Sequence, residues 1–454
     1  MKTKSLLLFF VLSIFMFNTY AQQQPGRAPG NIIPTSVATN GLSQIFSVTG
    51  KYYLSADGGG STASSYTVDV NKPSASSTVY KAYLMGASQG FSSYIIPDGC
   101  ITLNSSPVNW NGTTASGILS YNHYSDVTSI VAPVMNAAGV GITSFTVSEC
   151  GAIDGTALLV IFADPTTTEK TIVIMFGACS TGGDSFSLTL GTPIDPATPG
   201  AMLDMGLGIS FGAQGQCAAQ YSRVDINSQR LTTSAGGEDD GQLANGALIT
   251  VGGLGDLNTN PADPNGSAGC NPRYDDELYS LIPFITNTTT SITVNTLNPS
   301  NDDNIFLSYF QISGVAIIGE GILLTQTTAT GPTGVSHTVK AHLVDGLGAP
   351  MPGHSITFTV LAGPNAGTLG AAVTDVNGDA VISYTGAVVG TDNIQACLTT
   401  TSAAPACSNT LNYEWTGSAT IPTMSQWGLI FLAIALLGVG TAYIMRRKSS
   451  DIIA

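Results

Sequence analysis

The sequence predicts an all-β protein that is followed by one C-terminal transmembrane helix. Short runs in which apolar and polar residues alternate recur along the chain, and clusters of Gly, Pro, Asn and Asp separate them. An uncharged apolar stretch, Leu429 to Met445, then runs into a basic cluster. Only 9% of the residues are charged, which is typical of a β-rich exported protein rather than a helical cytosolic enzyme.

Residues 1–21 have the three parts of a secretory signal peptide. Lys2 and Lys4 form the positive region, Leu6 to Phe17 form the apolar region, and Thr19 to Ala21 form a cleavage site before Gln22. We therefore expect residues 22 to about 420 to be exported across the cytoplasmic membrane, to the cell surface or the extracellular space.

Residues 22–320 contain several predicted strands and no helical stripe of useful length. Val79 to Leu84 alternates, whereas Ala157 to Phe162 is a continuous apolar run that predicts a central strand buried on both faces. Thr171 to Phe176 follows after a short turn, so the two runs are predicted to pair as a hairpin. The pattern predicts a large antiparallel β-sandwich region, as one large sandwich or two in tandem.

Four pieces of this region resemble a family of β-rich domains of unassigned function in secreted microbial proteins. They are Val79 to Leu84, Trp110 to Gly112, Tyr124 to Thr128 and Asp154 to Phe162. The resemblance implies a β-rich extracellular domain and no particular chemistry.

Residues 321–417 show the clearest period-two pattern, with turn clusters between the predicted strands. The strands contain Val339 to Leu343, Ile356 to Val360, Ala380 to Tyr384, Ile394 to Leu398 and Leu411 to Trp415. Half-buried strands at this spacing predict a second, smaller β-sandwich.

This smaller segment resembles the bacterial immunoglobulin-like domains of the invasin/intimin group. The matching pieces are His337 to Ala341, Asp345 to Gly353, Ile356 to Val360, Gly363 to Gly367, Thr374 to Gly378 and Gly390 to Asp392. The resemblance implies an immunoglobulin-like β-sandwich that acts as a spacer or an adhesion stalk.

Residues 421–448 combine a short motif, an apolar helix and a basic membrane stop. The motif is Ile421, Pro422, Thr423, Trp427 and Gly428, and the stop is Arg446, Arg447 and Lys448. The apolar stretch is near the lower length limit for crossing a bilayer, and the cations are too costly to move through it, so they stay on the cytoplasmic side.

The tail resembles the IPTL-type C-terminal protein-sorting domain of bacterial envelope proteins, with Met424 in place of the usual Leu. The resemblance implies recognition by a membrane-embedded, exosortase-like processing enzyme. The sequence leaves open whether the helix is a permanent anchor or is removed after sorting.

The charge and the cysteines of the chain bear on its partners and its compartment. A net charge of −15 disfavours nucleic acid and anionic lipid and suits neutral sugars or cations. All 7 Cys residues lie in the predicted exported part, where disulfides form. We expect a disulfide between Cys397 and Cys407, and the odd number leaves at least one free thiol.

No catalytic or cofactor-binding residues are predicted. Gly208 to Gly212 fits the GxSxG pattern of a nucleophile elbow, but no helix is predicted after it, so a Gly-rich strand or turn is favoured. The His residues, His123, His337, His342 and His354, are interpreted as exposed and structurally silent, with His342 pointing to solvent.

Acidic loops are the remaining candidates for a metal site. They occur at 238–240, 256–263, 275–277 and 302–303. We interpret them as solvated turns and strand ends, with a Ca²⁺ site that is not an EF-hand as the alternative and with its ligands unknown.

The sequence therefore predicts a non-catalytic envelope protein with an adhesion or matrix-structural role. Its expected partners are the membrane, the sorting enzyme, and a glycan or surface-protein ligand. The alternative is an exported carbohydrate-active enzyme, or a glycan-binding module, carried by residues 22–320. Such an enzyme should have a cleft with convergent carboxylates, whereas a binding module should have a flat or aromatic-lined face.

Overall fold

The computed structural model describes residues 41–61, 64–180, 182–212, 222–235, 240, 248–256, 277–299, 303–398, 406–417 and 424–450. Within these residues the protein is mostly β, as predicted, with two α-helices, Thr128–Ala137 and Met424–Ser450, and a 3₁₀ turn, Ile282–Phe284. The predicted signal peptide and the motif residues Ile421, Pro422 and Thr423 lie outside the described residues.

The strands are numbered in chain order. Strands β1 to β20 are Ser43–Gly50, Tyr52–Gly59, Ser65–Lys72, Thr78–Ser88, Thr102–Leu103, Ser106–Pro107, Gly112–Ala115, Tyr121–Asp126, Gly141–Ser148, Ile153–Ala163, Lys170–Phe176, Asp184–Leu190, Leu203–Ser210, Ser222–Ile226, Gln229–Ala235, Ile249–Val251, Leu278–Ser280, Ser291–Leu297, Asn304–Ser313 and Ala316–Ile318. Strands β21 to β29 are Gly321–Leu324, Thr328–Pro332, His337–Val344, Ser355–Ala362, Gly367–Val373, Asp379–Tyr384, Gly390–Leu398, Ala406–Cys407 and Leu411–Thr416.

Strands β1 to β20 form four sheets that stack as layers. Layer 1 has the order β3-β9-β5-β6, and layer 2 has the order β2-β10-β4-β8-β7. Layer 3 has the order β1-β11-β19-β13-β16, with β17 beside β13, and layer 4 has the order β15-β14-β18-β12-β20. A separate hydrophobic core fills each space between neighbouring layers.

Side-chain alternation along the inner strands decides which core each residue enters. On β10, Leu158 and Val160 face the core between layers 1 and 2, whereas Leu159 and Ile161 face the core between layers 2 and 3. All four side chains are fully buried, and each contributes about 1.5–3 kcal/mol of transfer free energy. This confirms the prediction of a central strand buried on both faces.

The predicted hairpin between Ala157–Phe162 and Thr171–Phe176 is wrong. Strand β10 pairs with β2 and β4 in layer 2, and β11 pairs with β1 and β19 in layer 3. The chain turns between them at Asp164, whose Oδ1 accepts hydrogen bonds from N and Oγ1 of Thr166 at 3.0 and 2.7 Å. Because both strands are buried on both faces, their sequences do not distinguish a neighbour in one sheet from a neighbour in the next layer.

The helix Thr128–Ala137 was not predicted. It buries Val131 and Met135 in the core between layers 1 and 2. The ammonium of the buried Lys72 donates hydrogen bonds to the carbonyl oxygens of Met135, Asn136 and Ala138 at 3.0, 3.3 and 3.0 Å. These bonds satisfy carbonyls at the helix end that have no partner within the helix, and the positive charge suits that end of its dipole.

Strands β21 to β29 form a two-sheet sandwich with its own core. One sheet has the order β21-β23-β26, and the other has the order β22-β29-β27-β24-β25, with β28 beside β27. Every strand predicted in this segment is present, and its apolar positions alternate into the core as expected. The division of the chain into domains near residue 320 stays a prediction.

The C-terminal helix Met424–Ser450 contains the apolar segment Gln426–Arg447. This segment has 22 residues, its most apolar window has a mean hydropathy of 2.2, and no part of that window is buried against the rest of the chain. Its length and composition are sufficient to cross a membrane. Trp427 and Gly428 lie in its first turn, and Arg446 and Arg447 lie at its end.

Candidate functional site

A cleft of about 900 Å³ lies beside the start of the helix Thr128–Ala137. The segment between β6 and β7 forms the opposite wall, and the end of β8 lies at its base. The volume is in the range typical of ligand-binding pockets. The cleft brings together Asn111 and the stretch from Ser125 to Thr128.

Hydrogen bonds fix one wall, the segment between β6 and β7, to the end of β8 at the base of the cleft. The hydroxyl of Ser125 donates to the carbonyl oxygen of Asn109 at 2.7 Å, and the backbone N–H of Asn111 donates to Tyr124 O at 2.8 Å. The backbone N–H of Asp126 donates to Oδ1 of Asn111 at 2.6 Å. The cleft is therefore held by paired backbone and short side chains, and its shape does not depend on long flexible groups.

Asp126 is the titratable side chain among the described lining residues. Its Oδ2 lies 2.6 Å from Nζ of Lys81, and its Oδ1 accepts hydrogen bonds from N and Oγ1 of Thr128 at 3.0 and 2.6 Å. Partial burial alone would raise the pKa of Asp126, but the hydrogen bonds from Lys81 and Thr128 hold this pKa below its ordinary value. The carboxylate is thus ionised at neutral pH, and Lys81 balances its charge.

Two asparagine amides in the lining are oriented by the backbone. Oδ1 of Asn111 is occupied by the N–H of Asp126, and Oδ1 of Asn136 accepts a hydrogen bond from the N–H of Val79 at 2.8 Å. Since each amide oxygen is engaged, each Nδ2 group is presented as a donor in a fixed orientation. Both side chains are exposed and line the cleft.

The serine of the GxSxG pattern is structural. Ser210 ends β13, which agrees with the favoured Gly-rich strand, and its side chain is fully buried. Its hydroxyl oxygen accepts a hydrogen bond from Nδ2 of Asn304 at 2.7 Å, and the same amide donates to Ser120 and Asn122. A hydroxyl without access to solvent does not suit nucleophilic attack on a substrate.

The interpretation of the histidines as exposed is wrong for His123, which is buried, and holds only in part for His337, His342 and His354, which are half-buried. His123 is fully buried, and the centroid of its ring lies 5.1 Å from that of Trp110, in the segment between β6 and β7. Burial lowers the pKa of His123 to about 4, so the ring stays neutral at physiological pH. His342 is half-buried, and its Nδ1 lies 2.8 Å from Oδ1 of Asp379. His337 and His354 are partly buried.

Two of the acidic loop residues are buried rather than solvated. Glu277 is buried, and its Oε2 accepts a hydrogen bond from Tyr279 Oη at 3.1 Å. Asp303 is buried, and its Oδ2 accepts one from Ser222 Oγ at 2.7 Å. Most of the other acidic residues lie outside the described ranges. In the described part of the chain, no group of three or more His, Cys, Asp or Glu side chains could hold a metal ion, and the Ca²⁺ site stays a hypothesis.

The described cysteines include two disulfides and one thiol. Cys100 is joined to Cys150, and Cys397 is joined to Cys407 across the paired strands β27 and β28. Cys179 is free and buried, and burial raises the pKa of its thiol to about 12, so the thiolate does not form at neutral pH. The remaining two, Cys217 and Cys270, lie outside the described residues.

Glu149, next to Cys150, is a buried carboxyl group that sequence analysis missed. Its side-chain oxygens are buried with no hydrogen-bond partner in normal geometry. Burial raises the pKa of Glu149 from 4.5 to about 8, and the backbone of Ser61 lowers it only in part. The folded protein therefore holds Glu149 mostly protonated at neutral pH.

We expect Glu149→Gln to stabilise the protein increasingly as the pH rises. The folded-state pKa lies above the unfolded one, so the wild-type protein loses stability between about pH 4.5 and pH 8 as the unfolded chain ionises. The variant should gain about 4 kcal/mol at pH 8 and under about 1 kcal/mol at pH 5. Denaturant unfolding of both proteins across this range measures the difference. Glu414→Gln, at an exposed position of β29, is the control, and parallel pH profiles for Glu149→Gln and wild type would contradict the expectation.

Comparison with known proteins adds little to this geometry. A scan against protein families and a search of curated protein sequences find no match. A solved structure, the D0-D1 domain of intimin, matches with 12% sequence identity over 56% of this chain and 93% of that chain, at a TM-score of 0.19. A TM-score this low carries no argument, so the conclusions about fold rest on the strands and cores described above.

Proposed function

We propose that this chain is a non-catalytic bacterial envelope protein. In this proposal the chain is exported and is sorted through its C-terminal tail. Its β-sheet layers and its smaller sandwich lie outside the membrane, where they serve in adhesion or have a structural role in the matrix. The observation that carries the proposal is the apolar segment Gln426–Arg447, of which the most apolar window is unburied. Apolar surface of this extent is unfavourable in water, and a lipid bilayer removes it.

The disulfides support export. Cys100–Cys150 and Cys397–Cys407 lie in different parts of the protein, and such bonds persist in oxidising compartments rather than in the cytosol. The cleft supports a role without catalysis, because its described lining contains a single carboxylate, Asp126, which Lys81 neutralises. A glycosidase of the ordinary kind requires a pair of carboxyl groups across the scissile bond.

Placing charge in the middle of the C-terminal helix tests the proposal. We expect the double variant Leu436→Arg, Leu437→Arg to be lost from the membrane, because each Arg at a helix centre costs roughly 2.5–3.5 kcal/mol of insertion free energy. The measurement is the fraction of full-length chain that stays in carbonate-washed membranes, together with its cleavage by protease added to intact cells.

The matched control is Leu361→Arg, Val373→Arg, which adds the same charge at exposed positions of β24 and β25. It should leave membrane retention unchanged. Full-length chain in the cytosol with an uncut N-terminus, or equal membrane retention of both double variants, would refute the proposal.

A further inference from the structure

We infer that the cleft beside the helix Thr128–Ala137 binds a neutral oligosaccharide. The inference rests on the proposed function, since it names a ligand class for the exported β-rich part of the chain. It is carried by the hydrogen-bonding groups of the cleft, by its charge balance and by the structure of its walls.

The cleft presents donors and acceptors that match sugar hydroxyls. The Nδ2 groups of Asn111 and Asn136 are donors whose orientation is fixed, because their Oδ1 atoms are engaged by backbone N–H groups. Asp126 has about four acceptor positions, of which Lys81 uses one and Thr128 uses two. One acceptor position is left for a ligand hydroxyl, and each such hydroxyl can donate one hydrogen bond and accept others.

The charge balance of the cleft disfavours ionic ligands. The Lys81–Asp126 pair cancels locally, and the rest of the described lining carries no titratable group. Asp126 already accepts the hydrogen bond from the first N–H of the helix, where an anionic ligand would otherwise be favoured. The net charge of −15 further repels anionic polymers at long range. A ligand that is polar and uncharged remains.

The walls favour a sugar over an extended peptide. Ile130 and Pro133, which are partly exposed and exposed, give one side of the cleft an apolar surface for C–H faces. Peptides in clefts of β-proteins commonly pair with an open strand edge. At the base of the cleft, Ser125 and Asp126 of β8 pair with β4, and on the other side the backbone N–H of Asp126 is already engaged by Oδ1 of Asn111.

Glycan binding by the full-length chain in detergent micelles tests the inference. The probes are cellohexaose, maltohexaose and chitohexaose, with hexagalacturonate as the anionic comparison and a random peptide library as the alternative class. Asn111→Asp and Asn136→Asp keep the Oδ1 acceptor and remove the Nδ2 donor. Each variant should weaken binding of a neutral hexaose about tenfold, which is the effect of one hydrogen bond of 1.4 kcal/mol.

The control is Asn104→Asp. The Oδ1 atom of Asn104 accepts a hydrogen bond from the N–H of Thr146 at 2.8 Å, in the same geometry but outside the cleft, so this variant should bind like wild type. Circular dichroism checks that both cleft variants are folded. If Asn111→Asp does not fold, binding by the Asn136→Asp variant tests the inference.

The inference is overturned if no neutral hexaose binds, if the cleft variants bind as wild type does, or if hexagalacturonate or peptide binds instead. Surface exposure of every variant is measured in the same cells. A displayed chain that binds no neutral sugar contradicts this inference alone, whereas a cytosolic chain contradicts the proposed function.

Discussion

Asp392→Asn should destabilise the smaller sandwich by about 3–5 kcal/mol. Asp392 is fully buried, and its carboxylate accepts hydrogen bonds from Tyr384 Oη, from Trp415 Nε1 at 2.8 Å, and from N and Nδ2 of Asn365 at 3.0 and 2.8 Å. All these groups are arranged to donate. An Asn side chain would turn its own NH₂ donor toward some of them, and a buried donor without an acceptor costs about 1–3 kcal/mol.

Amide hydrogen exchange on β27 and β29 measures this effect locally, because these strands carry Asp392 and Trp415. Asp375→Asn is the matched control, since Asp375 lies in an exposed turn of the same sandwich and accepts hydrogen bonds from the backbone N–H groups of Asn377 and Asp379. It should leave amide exchange on β27 and β29 close to that of the wild-type protein. Equal exchange rates in the two variants would show that Asp392 does not organise this core.

The double substitution Cys100→Ser, Cys150→Ser should lower the free energy of unfolding by about 4 kcal/mol. The bond joins residues 50 positions apart, so it removes a large loop-closure entropy from the unfolded chain. The corresponding change at Cys397 and Cys407, 10 positions apart, should cost about 3 kcal/mol and serves as the comparison.

The loop closed by Cys100–Cys150 also contains every described residue that lines the cleft. We therefore expect the larger-loop variant to bind neutral hexaoses more weakly, whereas the smaller-loop variant should bind as wild type does. Denaturant unfolding and glycan titration on the same preparations provide both measurements. An unchanged free energy of unfolding after loss of Cys100–Cys150 would show that layers 1 and 2 hold this loop without the bond.

Five strands of the smaller sandwich, β23, β24, β26, β27 and β29, were predictable because each is buried mainly on one face. The alternation of apolar and polar residues along Ile394 to Leu398 and Leu411 to Trp415 indicates which face of each strand packs against the core. The layers of the larger region are less predictable. On β10 and β11 both faces are buried, so no alternation of apolar and polar residues shows which face meets which core. Two such runs that follow each other in the chain could therefore pair in one sheet or lie in two stacked sheets.

The candidate site was the least predictable feature. Its residues come from a loop, a strand end and a short helix, and they are ordinary polar residues with no motif spacing. The helix Thr128–Ala137 contains Pro133 and buries only Val131 and Met135, so its apolar stripe is too short to stand out. Asn111 and Asn136 become donors of fixed orientation only because their Oδ1 atoms accept hydrogen bonds from the backbone N–H groups of Asp126 and Val79. The fold brings these groups together, although they are not adjacent in the sequence.

By itself, the sequence determined the β class, the strands of the smaller sandwich and the apolar C-terminal helix. These features follow from the periodicity of burial and from the length of an uncharged segment, which are local properties of the chain. Only the tertiary structure decided how the layers stack, which carboxyl and imidazole groups lose their solvent, and which amides meet in the cleft. Those outcomes depend on which strands become neighbours, and that is set by packing between segments far apart in the chain.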